Sequence, residues 1–104
     1  MKNIKYNITM YTPIGSRYGT INLFLADNLI NGTLDLLEHS EPVNGSIDNK
    51  GNCKINGRLV TLLRTIEYTA VGKVTEKAIE LSLQGERNIF RIKGIAVTES
   101  EVKA

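Results

Sequence analysis

Residues 43–59 read "VNGSIDNKGNCKINGRL", and the two Asn-Gly pairs in this stretch, at 44–45 and 56–57, decide what the chain can build. A third pair opens "NGTL" at 31–32. Asn-Gly is the strongest short hairpin signal, because both residues tolerate positive φ. The middle of the stretch already holds another turn. Asn49-Lys50-Gly51-Asn52 is a polar cluster, with Val43 and Ile47 before it and Cys53, Ile55 and Leu59 after it. A hairpin closed there lays Asn44-Gly45 across from Asn56-Gly57, with the two glycines side by side. Glycine inside a strand marks a bend, a bulge or a close backbone approach. The repeated pair is therefore an architectural kink rather than a ligand loop. It is no phosphate cradle either, since no P-loop spacing and no following helix accompany it.

The same period of two runs outward from this hairpin. In "KNIKYNITMYT", Ile4, Tyr6, Ile8 and Met10 share one face. In "YGTINLFLA" the face is Gly19, Ile21, Leu23 and Leu25, with Phe24 on the other side. Pro13 with Gly15, Asp27-Asn28, Thr75-Glu76-Lys77 and Gln84-Gly85-Glu86-Arg87 supply connections. The expected fold is one all-β domain over residues 1–104, a small antiparallel up-and-down barrel of about eight strands. A small β-sandwich is the alternative. Gly19, Gly72 and Gly94, also inside strand patterns, would let the sheet coil until it closes. At most one short helix fits, at "TLDLLEHS" behind Thr33 or at "TEKAIELSL" behind Thr75.

Composition narrows the function classes. The chain has 104 residues, with 13 basic and 11 acidic side chains interleaved along it. That leaves no basic stripe to displace counterions from phosphates, which argues against a nucleic-acid partner. No stretch approaches the roughly 20 apolar residues of a membrane helix. The N-terminal residues show no apolar signal core, and the expected location is cytoplasmic. The Asn-x-Ser/Thr triplets at Asn7, Asn31 and Asn44 are then coincidental.

Candidate chemistry is sparse. Cys53 and His39 are each the only residue of their type, too few for a structural zinc site within one chain. Cys53 occupies an apolar position beside a turn and reads as a small core residue. No cofactor motif occurs, and no catalytic residue is assigned. Arg64 is the anomaly. Through "RLVTLLRTIEYTAVG", read as one run, a single face carries Val60, Leu62, Arg64, Ile66, Tyr68 and Ala70. Arg64 and Tyr68 could offer a cation and a hydroxyl to an anionic ligand at a barrel mouth. The plainer alternative pairs Arg64 with Glu67 or bends the chain at Arg64-Thr65. The ligand-binding candidates are thus Arg64, Tyr68 and Glu67.

The glycine-and-apolar strand rhythm is similar, over most of the chain, to small up-and-down barrels of the lipocalin-like kind. That resemblance implies a fold and carries no functional residue across. "INLFLADNLI" and "LVTLL" are apolar on both faces, which a one-sided sheet does not need. A second subunit is the economical cover, so the expectation is a homodimer. The functional expectation is a non-enzymatic binding module that self-associates. The alternatives are a carrier of a small anionic or amphipathic ligand in the barrel mouth, and an enzyme acting there.

Overall fold

The computed structural model describes residues 2–13, 15–36, 38–60, 63, 65–85 and 89–97. Alternating apolar residues turn each segment of the chain into a strand with one inward face. The strands are β1 (Lys2–Thr12), β2 (Gly15–Ala26), β3 (Leu29–Leu36), β4 (His39–Ile47), β5 (Asn52–Val60), β6 (Thr65–Val74), β7 (Ala78–Gln84) and β8 (Ile89–Ala96). Each pairs antiparallel with the next, and β8 returns to β1 to close the barrel. Closure runs from Tyr6↔Ala96 to Tyr11↔Arg91. It leaves no free sheet edge of the kind that invites aggregation. The sandwich alternative is set aside by this closed ladder. Among the described residues there is no helix, and both helical windows contribute strand and turn instead. "TLDL" falls into β3, where Leu34 and Leu36 point inward and Asp35 outward. Thr75 does cap, its Oγ1 accepting from the backbone N–H of Lys77 and Ala78 at 3.3 and 3.0 Å. The chain it starts is a tight turn into β7, because Ile79, Leu81 and Leu83 keep a period of two.

The turns follow their local chemistry. Asp27 takes φ +56° at the head of the β2–β3 turn. In the β4–β5 turn Asp48 Oδ1 accepts from the backbone N–H of Lys50 and Asn52 at 2.8 and 2.9 Å. Gly51 supplies φ +90° there, which a side chain rarely tolerates. The Asp48 carboxyl is held below its usual value, first by its bond from the Asn52 side chain and then by the backbone donors.

One sequence expectation needs correcting. Residues 58–72 are not one strand with a bend. β5 ends at Val60, β6 begins at Thr65, and these two residues pair across a hairpin. The connection carries no Gly, Pro or Asn, so it left no turn signal in the sequence. Leu63 in it is 94% exposed.

The interior is filled with apolar side chains, among them Tyr6, Ile21, Leu23, Ile30, Ile55 and Leu83, and no polar or charged residue is buried with them among those described. Tyr6 plugs the β6–β7 end, its hydroxyl donating to the Thr75 carbonyl at 2.5 Å. Burial, with Cys53 and Glu76 adding to it, pushes its phenol up to about 12. Cys53 is part of this core, and burial raises its thiol to about 11.

The glycines make closure possible. All six mid-strand glycines fall on the inward parity, alternating with large residues along each rung of the ladder. A Cβ on Gly45 would stand 1.9 Å from the Lys54 carbonyl oxygen, a distance no side chain permits. Neighbouring strands can coil this tightly only where the inward side chain is missing.

Candidate functional site

The three Asn-Gly pairs occupy one level of the barrel. In each, the glycine faces in and the asparagine faces out. The β3–β4 register sets Asn31 opposite Asn44, and the β4–β5 register sets Asn44 opposite Asn56. The two glycines are therefore not side by side, as expected from the sequence. An antiparallel pair that matches the asparagines must offset the glycines, so Gly45 faces Ile55 and Gly57 lies against Val43. The outward row continues through Thr69 on β6 and Gln84 on β7. Five consecutive strands thus present an amide or hydroxyl at the same height. Phe24 on β2 flanks the row at one end and Ile89 on β8 at the other. Within the row, Thr69 Oγ1 donates to Asn56 Oδ1 at 3.1 Å.

Above this row the barrel wall parts. The β4–β5 ladder stops at Asn44↔Asn56, two residues short of Pro42, which has no N–H to continue it. Arg58 spans the gap, its Nε donating to Glu41 Oε1 at 2.8 Å. That bond, then the Glu41 charge and the charge of Glu67 across the β5–β6 ladder, raise the Arg58 guanidinium above its usual value. Pro42, Arg58 and Glu67 on the upper side and Asn44, Asn56, Thr69 and Gln84 on the lower enclose a groove of about 490 Å³. Gly57 and Tyr68 complete its lining. Tyr68 points inward with its ring against Gly57, in the space a side chain there would need. Burial pushes its phenol up to about 12.

Two of the three residues singled out from the sequence therefore meet, in a different setting from the one expected. Tyr68 faces the interior and Glu67 the exterior, so the two do not share a barrel mouth. They converge on the outer groove instead. Arg64 lies outside the described residues. Neither the turn chemistry of Asn-Gly nor the Asn-x-Ser/Thr triplets points to the amide row, which exists only through the register of neighbouring strands. The residue spacing held the missing signal, since the turns fix the register that stacks the asparagines.

A second groove of about 770 Å³ crosses β1 and β8 and reaches the β6–β7 turn. It is the more apolar of the two, with Tyr11 and Ile95 in its wall and Lys73, Glu80 and Lys93 crossing it in register. His39 is exposed at the start of β4, whereas Cys53 sits opposite its last residue, Ile47. Eight strand residues, about 26 Å at 3.3 Å per residue, separate them, too far for a nucleophile and its base. Among the described residues no group of three or more His, Cys, Asp or Glu side chains could hold a metal. Among the described residues no helix is long and apolar enough to cross a membrane.

No family model, curated protein or solved structure matches this chain. The reading of its function rests on its own geometry.

Proposed function

We propose that the protein is a non-enzymatic binding module that works as a homodimer, joined through the outer face of β8, β1 and β2. One observation carries the reading: large apolar side chains project outward from this face while the core beneath is already complete. Tyr18 is 77% exposed, Ile95 71% and Tyr11 48%. Burying such side chains would stabilise an assembly by roughly 1.5–3 kcal/mol each if fully covered. A second copy suits the face because the Lys73–Glu80–Lys93 row, which runs from β6 across β7 to the border of the face at β8, carries both signs of charge. A two-fold axis can then bring Glu80 of one copy against a lysine of the other.

Light scattering after gel filtration tests this. The expected species has twice the 11.5 kDa mass of the chain, and Tyr18→Ser with Ile95→Ser returns it to a monomer that is still folded. A single monomeric species from micromolar to millimolar concentration would remove the proposal.

A further inference from the structure

The Asn-Gly repeat holds more than the fold requires. Closure needs the glycines, whose missing side chains face inward. It does not need asparagine at the outward positions before them. Asparagine is depleted in strands, where β-branched and aromatic residues fit the pleat better. Yet Asn31, Asn44 and Asn56 are matched directly across three neighbouring strands, and Thr69 and Gln84 extend the row. The asparagines of the row are disfavoured by strand propensity, and four of its five members, Asn44, Asn56, Thr69 and Gln84, line a groove.

We infer that this row, over the groove between Pro42 and Gln84, binds a neutral, hydroxyl-rich chain, an oligosaccharide laid across strands β3–β7. Each amide presents a planar set of one acceptor and two N–H donors. That set complements adjacent sugar hydroxyls, which donate and accept in turn. The groove has no surplus of positive charge: Arg58 is bonded to Glu41 and stands opposite Glu67. A compensated guanidinium offers little to an anion, but its remaining N–H groups still donate to a hydroxyl, and Glu67 still accepts. Phe24, 43% exposed beside Asn31, adds an aromatic face for the C–H side of a sugar ring. With strands about 4.8 Å apart, the four from Asn44 to Gln84 span about 14 Å, long enough for a short oligosaccharide. The volume of about 490 Å³ lies in the range of small-molecule sites.

The test is amide chemical-shift mapping of the full chain against maltotriose, cellotriose and chitotriose, with inorganic phosphate as an anion probe. At least one trisaccharide should shift the side-chain amides of Asn44, Asn56 and Gln84. The double variant Asn44→Val, Asn56→Val should lose that response by tenfold or more while its melting temperature stays level or rises, because valine is the better strand residue. Three results would overturn the inference: no trisaccharide response at millimolar concentration, shifts at these amides with phosphate alone, or an undiminished response in the variant. A variant that folds less stably than the parent would overturn it too, since the asparagines would then be serving the fold.

Discussion

The outer faces of β8–β1–β2 and of β4–β5–β6 cover the same kind of core and both carry polar side chains, yet they differ in the large ones that stand out among them. On the first, Tyr11, Tyr18 and Ile95 project from the surface. On the second, Asn44, Asn56, Thr69, Arg58 and Glu67 line a groove, and Val71 is the exposed apolar side chain beyond it. Inward, the two arcs are interchangeable in chemistry: Ile8 and Leu23 on one side, Val43 and Ile55 on the other. The inward positions are dictated by the volume of a closed barrel, which small and large side chains must share. The outward positions are under no such demand, so chemistry found there and not explained by strand propensity reflects what the surface meets. We assign the exposed Tyr11, Tyr18 and Ile95 to a second protein surface and the amide row to a hydrated, uncharged ligand.

Substitutions on the inward side should not distinguish the two arcs, and they give the largest effects. Gly45→Ala drives a Cβ into the Lys54 carbonyl and must pull β4 from β5. The expected loss is about 3 kcal/mol or more, a large share of the 5–15 kcal/mol typical of a domain. Leu23→Ala, beneath the apolar arc, should cost about 2–5 kcal/mol. Urea titration measures both, and a Gly45→Ala chain as stable as the parent would break the link between glycine and closure.

Alkaline pH probes the same core without mutation. Tyr6 and Tyr68 hold their protons to about 12 and Cys53 to about 11 when folded, against ordinary values of 10.0 and 9.0. The unfolded chain therefore releases these protons first as pH rises. Stability should be complete below pH 9, decline from there, and be lost as pH passes through 11–12, by the order of 2 kcal/mol for each group. Denaturation midpoints measured along a pH series check the sign; stability that rises through this window would contradict it.

The outward substitutions come last in size, and they separate the arcs. Tyr18→Ser and Ile95→Ser should change the oligomer mass with less than about 0.5 kcal/mol of effect on monomer stability. Asn56→Val should leave both mass and stability nearly unchanged. If Asn56→Val dissociates the assembly, the roles assigned to the two walls are reversed.

Much of the barrel was legible because period-two segments leave little choice of face. Ile8, Met10, Ile21 and Leu23 all point where alternation places them. The β4–β5 hairpin was legible from its polar turn residues, and the mid-strand glycines from their conflict with that turn. The β5–β6 hairpin was not, because Thr61-Leu62-Leu63-Arg64 carries no turn residue and continues the apolar pattern. The single face from Val60 to Ala70 is a product of reading through that hairpin as one strand, and Arg64 itself lies outside the described residues. The site was legible only in fragments. Tyr68 and Glu67 do line the groove, and alternation alone sets them on opposite faces, but the cross-strand neighbours they meet depend on where β6 begins, which the sequence does not mark.

The central claim is that inward glycines coil eight strands until the last pairs with the first. Backbone nuclear Overhauser effects between β1 and β8 test it most directly. The account predicts cross-strand contacts joining Ile8 to Gly94 and Met10 to Ile92. Their absence, with the other seven ladders intact, would mean an open sheet and would contradict the closed barrel.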